Sequence, residues 1–415
     1  MEPTSKTPEE IRRARGLGIA FIVFALAILV LFMPGTNARL STFVFQSDSG
    51  ELPLPAWTFS ASTFVYITAA ISAFLGAWQL AKGFKNAEAV LGLVVGLFVL
   101  AFLAWAARDK SMNLTGMLKQ SLLGGVPILL AALSGLMCER SGVVNIGIEG
   151  MMLTGAFFAA LFGSVSGSVW VGLITAVLSG ALMGALLAVL AIRYRVDQIV
   201  AGTAINILAT GLTSYFSSAY LQHNEALNTP PTFQPIPLPL LSKLPVLGPV
   251  LFNQTLLVYL ALILVVVIHG MLFYTRWGLR SRAVGEHPRA ADTLGVNVFK
   301  MRYVNTILGG AIAGLGGAYL ILSSVGRFDE LMTAGRGFIG LAAMIFGKWM
   351  PFGALGASLI FGFANSLQVS LAILAVPIPS QFLLMAPYLV TMIALAGVVG
   401  RATAPAADGV PYTKE

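Results

Sequence analysis

The chain has 415 residues, of which 57% are hydrophobic and only 10% charged, against roughly 25% charged in an ordinary soluble domain. Gathered into long runs at a mean hydropathy of +0.86, these residues exclude a soluble globule and give the pattern that a bilayer core requires in a polytopic membrane protein. The balance of 25 Lys and Arg against 17 Asp and Glu gives +8, the ordinary consequence of basic cytoplasmic loops, so no nucleic-acid partner is expected.

The N-terminus, MEPTSKTPEEIRRARG, leads into an apolar run over 16–33. No small-x-small cleavage site stands near MPGTNARL, so this run reads as an uncleaved first span. Taking about 20 apolar residues per crossing, further spans are expected near 62–81, 87–107, 117–137, 143–163, 167–192, 198–220, 254–275, 303–325, 352–374 and 381–400. A piece at 337–350 is too short for a straight crossing, which leaves 10 to 12 spans in all. Arg12, Arg13 and Arg15, Lys82 and Lys85, and Arg193 and Arg195 fall on one side if the spans alternate, and that side is cytoplasmic. The basic connection 276–302 belongs there too, as do both termini, whereas the proline-rich 221–253, with Lys243 as its one base, reads as an extended extracytoplasmic loop.

The first three spans carry no distinctive polar motif, so residues 1–112 read as an accessory transmembrane region, 113–401 as the core and 402–415 as a cytoplasmic tail. Small residues recur at four-residue spacing in Gly180 with Gly184, Gly310 with Gly314, and Ala313 with Gly317, which lets helix backbones approach closely in lipid. The single Cys138 allows no intrachain disulfide, and His223, His269 and His287 share no ligand spacing, so no metal is expected.

The segment ERSGVVNIGIEG sets Asn145 and Glu149 four residues apart among Gly142, Gly147 and Gly150. A carboxylate inside an apolar run is costly. Glu149 must therefore face a polar cavity, pair with a base such as Arg140, or accept from backbone amides, and the glycines suggest a broken helix lining a solute route. Asn206, Asn305, and Asn365 with Gln368 place further amides inside spans, where they suit an uncharged solute or hydrogen bonds between helices. Phe338, Phe346 and Phe361 suit either a stacked ring or plain packing.

The stretch GLRSRAVGEHPRAADTLGVN predicts a short surface helix, with Pro288 near its start, Arg289 to Leu294 as its body and Gly295 as its stop. Its mixed face suits a groove in another protein. Arg327, Asp329, Glu330 and Arg336 gather where the ninth span should emerge outside, and charges of both signs suit a protein partner or a solvated loop. The one Gly-Lys pair, Gly347-Lys348, is followed by Trp349, so the sequence carries no P-loop, nor H-E-x-x-H, nor G-x-S-x-G.

ERSGVVNIGIEGMML, DQIVAGTAINILATGLT, GLRSRAVGEHPRAADTLGV and MTAGRGFIGLAAMIFGKWMPFGALGASLIFG occur in the order typical of nucleoside-type permeases. Over about residues 115–400 the chain resembles the permease subunits of ATP-binding-cassette importers, in the branch that includes sugar, branched-chain amino acid and nucleoside permeases. That resemblance implies an all-α helix bundle with a type II importer-like core and no catalysis of its own. It implies a coupling helix for a separate ATPase, which holds ATP with Mg, drawn from Arg282, Gly285, Glu286, Pro288, Arg289, Ala290, Ala291, Asp292 and Gly295. It also implies a second, related permease and an extracytoplasmic solute-binding lipoprotein, which Arg327 to Arg336 and the 221–253 loop are placed to meet. Asn145, Glu149, Asn206, Asn305 and Asn365 are the candidates for the solute route. The cargo expected is a nucleoside, with a simple sugar such as ribose as the alternative. An ion-coupled transporter using Glu149 is a rival of another class.

Overall fold

A computed structural model describes residues 8–45, 54–376, 381–382, 385 and 403–414. In chain order the elements are α1 (Pro8–Phe32), β1 (Leu40–Val44), β2 (Trp57–Ser60), α2 (Ala61–Ala81), α3 (Ala87–Ala106), β3 (Ser111–Asn113), α4 (Leu114–Glu139), α5 (Ile148–Ser166), α6 (Val169–Ala188), α7 (Gln198–Phe216), β4 (Ile236–Pro237), β5 (Asn253–Gln254), α8 (Leu256–Tyr274), α9 (Arg276–Glu286), α10 (Pro288–Thr293), α11 (Val298–Tyr319), α12 (Arg336–Phe346) and α13 (Pro351–Ile373). Ten of these, α1 to α8 with α11 and α13, are long and apolar enough to cross a membrane. Helix is the form that pairs every backbone group within one apolar segment. The 11 residues of α12 rise only about 16 Å, short of the roughly 30 Å of hydrocarbon. The span expected near 381–400 lies outside the described residues.

The chain forms two compact units, Met1–Gly116 with Val369–Leu383 and Met117–Gln368 with Leu384–Glu415. In the first unit α1, α2 and α3 pack through Ile28, Phe32, Val65, Ala69 and Ala101. A small sheet of order β2-β1-β3 accompanies them. Its central strand alternates, with Ser41 and Phe43 buried. Phe43 packs among Trp57, Phe59 and Phe64, and the Ser41 hydroxyl donates to Ala104 O at 2.6 Å. Lys110 Nζ donates to Leu374 O.

In the second unit α4 is almost wholly buried, and α11 crosses both α5 and α6. The crossing with α6 runs through Gly180 and Gly184 against Gly310 and Gly314. A Cβ at Gly184 would stand 2.7 Å from Thr306 O, so the backbones touch and no larger residue fits without parting the helices. Gly317 meets Met152 and Gly155 on α5 in the same way. The proline-rich 221–253 connection is partly ordered by short helical turns, and β4 pairs with β5.

Candidate functional site

Two helix beginnings in the second unit leave backbone N–H groups without partners of their own, as every helix start does. Each receives a side chain from another element. At the head of α5, Asn206 on α7 accepts from Gly150 N at 2.8 Å and donates to Ile146 O at 2.9 Å, so one amide satisfies both sides of a chain break. At the head of α12, the Glu149 carboxylate accepts from Gly335 N at 2.8 Å and Gly337 N at 2.6 Å. A negative charge there is favoured by the helix dipole as well as by the two bonds. Gly335 has φ +80°, and a Cβ on Gly337 would stand 2.7 Å from Glu149 Cα. Glycine is therefore required for this approach.

Beside these bonds lies a cavity of about 350 Å³, at the small end of the roughly 300–1,000 Å³ typical of small-molecule sites. Glu149, Asn206, Thr210, Thr333, Leu153 and Phe338 are among its lining. Each Glu149 oxygen retains acceptor capacity beyond its backbone bond, and Phe338 is 47% exposed. The cavity can accept hydrogen bonds from hydroxyls or amines and offer an aromatic face. Arg140 does not pair with Glu149. Its guanidinium donates twice to Trp349 O, at 2.9 and 2.7 Å, and burial lowers its pKa, Glu286 opposing.

The structure brings Glu149 and Asn206 together and places the other three asparagines elsewhere. Asn145 is fully buried between Cys138 Sγ and Met151 Sδ, with its Oδ1 unpartnered. Asn305 ties α11 to α9, accepting from Trp277 Nε1 at 3.2 Å and donating to Ser281 Oγ at 2.8 Å. Asn365 is exposed on α13 and Gln368 half-buried. Phe346 and Phe361 pack edge to face on one another at 5.7 Å.

The short surface helix is present as α10. Pro288 is its first residue, and Gly295 follows it at φ +80°. Arg289, Ala290 and Gly295 are exposed, Pro288 and Asp292 half-buried, and Ala291 is buried beneath, in a cluster with Val284, Val298, Met301 and Tyr412. On the preceding α9 the Arg282 guanidinium lies 4.9 Å from the Phe273 ring. Gly285 is buried so closely that a Cβ would stand 2.5 Å from Arg140 O, and Glu286 is exposed at the helix end. Of the four charged residues expected on one outer face, Arg327 and Asp329 form an exposed pair at 3.3 Å, and Glu330 accepts from Gln222 at 2.8 Å. Arg336 turns inward and donates to Met332 O and Thr333 O.

Sequence reasoning missed the polar cluster under α9. Glu139, the last residue of α4, accepts from Trp349 Nε1 at 2.6 Å and lies beside the Asp408 carboxyl. Arg302 of α11 is 2% exposed and donates to Val410 O at 2.8 Å. Burial pushes the Asp408 carboxyl up to about 6, while Glu139, the Gly409 amide and the charge of Arg302 oppose the rise. A run as short as PAADGVPYTKE offers no periodicity to announce that it packs.

A family model described as the branched-chain amino acid transport system permease component matches residues 117–400. The chain is 44% identical over 303 residues to the guanosine ABC transporter permease protein NupQ of Bacillus subtilis, covering 71% of this chain and 95% of that one. It is 41% identical over 304 residues, with the same coverage, to the nucleoside ABC transporter permease protein NupC of Lactococcus lactis. A putative glucose ABC transporter permease, TsgC13 of Haloferax volcanii, is 36% identical over 254 residues, covering 61% of this chain and 77% of its own. No solved structure matches.

Proposed function

This chain belongs to the branched-chain amino acid transport system permease family, and from that premise we propose that it is a transmembrane subunit of an ATP-driven importer for nucleosides. The observation that carries the cargo is the similarity to a guanosine and a nucleoside permease over nearly their whole lengths. The cavity supports it: ribose hydroxyls can donate to the Glu149 oxygens, and a base can lie against Phe338. Both contacts suit a neutral solute.

In this reading α10 docks into a cleft of a separate ATPase, which binds ATP with Mg, on the cytoplasmic side where both termini lie. A second, related permease completes the pore. A solute-binding lipoprotein delivers cargo at the other face, near 221–253 and Arg327 to Glu330. ATP-driven closure of the two ATPases moves α10 and tips the permease pair, so that the cavity opens to each side in turn. The chain supplies no catalysis of its own.

A simple sugar is the second reading, favoured by the likeness to the putative glucose permease. The test is uptake of radiolabelled guanosine, uridine and ribose into proteoliposomes holding this chain with its partner permease, ATPase and binding protein. ATP-dependent nucleoside uptake is expected. Uptake of ribose alone overturns the cargo, and uptake on an ion gradient without ATP overturns the importer.

A further inference from the structure

A helix of six residues does not hold itself in water, because its few hydrogen bonds do not offset the cost of nucleation. α10 is such a helix, and Ala291 alone of its residues is buried. Beneath it lie Val284 of α9, Val298 and Met301 of α11, and the segment 403–414. Ala407 N donates at 2.8 Å to Gly285 O, a carbonyl in the last turn of α9 that has no partner within that helix. Ala406 N donates to Glu286 Oε2 at 3.2 Å. Lys414 Nζ reaches Asp292 on α10 at 3.5 Å, and the buried Tyr412 ring lies under Ala291 against Phe299, centroids 5.3 Å apart.

The same segment is bonded on its inner side to two long helices. Val410 O accepts from Arg302 on α11, and Asp408 meets Glu139 at the end of α4. The fit is close, since a Cβ on Gly142 would stand 2.8 Å from Arg302 Nη2 and 3.0 Å from Ala407 O. We infer that residues 403–414 are a clamp that positions the docking helix, joining α9 and α10 to α4 and α11 so that movement of α10 is carried into the bundle. The inference rests on the proposed function for the identity of what docks on α10.

The cluster beneath the clamp is only partly satisfied. Arg302 Nε and Nη2 and Asp408 Oδ1 have no hydrogen-bond partner although buried, and such atoms cost stability wherever they occur. A strap joined by a few bonds over an under-satisfied cluster is a low-stability element, which opens at less cost than the helices beside it. It is the joint at which coupling can be cut without unfolding the spans.

The experiment compares the full chain with a form ending at residue 402 and with Tyr412→Ala, each assembled with its partner permease, ATPase and binding protein in lipid nanodiscs or proteoliposomes. Two quantities are read: hydrogen exchange of the 288–296 amides, and solute transported per ATP hydrolysed. With the clamp removed, exchange is expected to quicken about tenfold or more and the transport-to-hydrolysis ratio to fall by a similar factor, while the spans keep their protection. A synthetic peptide of residues 403–415 should restore both for the shortened chain. A merely stabilising tail would lower transport and hydrolysis together and leave their ratio and the α10 exchange unchanged, and that result overturns the clamp. Absence of ATP-driven nucleoside uptake by the full-length assembly would instead overturn the proposed function, with the exchange comparison still deciding the clamp.

Discussion

Glu139 and Glu149 stand ten residues apart on either side of the break between α4 and α5, and the chain satisfies them by opposite means. Both Glu149 oxygens accept from backbone amides at the head of α12, donors that are fixed in place and cannot titrate. Glu139 has one indole N–H and, on its other side, a second carboxyl. Two carboxyls brought together in this way repel one another when both are charged. The first arrangement shapes the cavity; the second sets the end of α4 against the 403–414 segment. A buried acid in a membrane chain thus marks either a fixed scaffold or a joint, and its donors tell which.

The sharpest way to break that comparison is the same substitution at both sites. Glu149→Gln sets an amide NH2 against a backbone N–H, so one of two charge-assisted bonds is lost and the other weakened. A loss of about 1.5–3 kcal/mol is expected, read as a lower thermal midpoint of the purified protein, with transport largely abolished. Glu139→Gln keeps an acceptor for Trp349 and gives Asp408 a donor. Its stability should stay within about 1 kcal/mol of the parent. Equal losses at the two sites would remove the distinction.

Asn206→Leu sharpens the comparison from the other side of the cavity. It strips the partner from Gly150 N and from Ile146 O together, and a buried polar group left unpaired costs about 1–3 kcal/mol. Stability should fall by about 2 kcal/mol, with the α5 amides nearest the break exchanging faster. An unchanged exchange pattern would mean that solvent already serves those groups.

How much of this was legible beforehand follows from the range of the interactions. The spans among the described residues, the pairs at Gly180 and Gly310, and the surface helix with Pro288 and Gly295 are written in local composition and spacing, and they appear where expected. Glu149 was recognisable as a carboxylate needing donors, with amides among the three solutions open to it. That the donors come from Gly335 and Gly337 was not, because nothing in a sequence marks which distant helix start will face it. Asn305 shows the converse. A polar residue in a span looks the same whether it lines a route or, as here, fastens Trp277 and Ser281. The 403–414 segment carries no sign in the sequence of where it packs, because its partners Gly285, Asp292 and Arg302 all lie more than a hundred residues away.

A pH dependence tests the joint directly. Burial raises Asp408 from 3.8 to about 6 when docked, while Glu139 on α4, the Gly409 amide and Arg302 on α11 oppose the rise. The docked state therefore binds the extra proton, so docking gains from this group in full below about 4 and loses that gain as pH rises through about 6. Proteolytic release of 403–414 should be slower at pH 5 than at pH 7.5, by about tenfold. Asp408→Asn should flatten that difference. A steeper profile in the variant would place the titrating group elsewhere.

The smallest effect is expected where a carboxylate needs no help from the fold. Asp329 pairs with Arg327 at 3.3 Å with both side chains more than half exposed, so water screens the attraction and the pair contributes at most about 1 kcal/mol. Arg327→Ala with Asp329→Ala should leave the thermal midpoint within about 2 °C. If this face meets the solute-binding partner, the change appears instead in the concentration of that partner needed for half-maximal uptake, and it grows as salt is lowered, since the screening length lengthens from about 8 Å toward 30 Å. A double variant that alters stability but not this concentration would turn the face into a structural one, and Asp329 would then join Glu149 as part of the scaffold rather than stand apart from it.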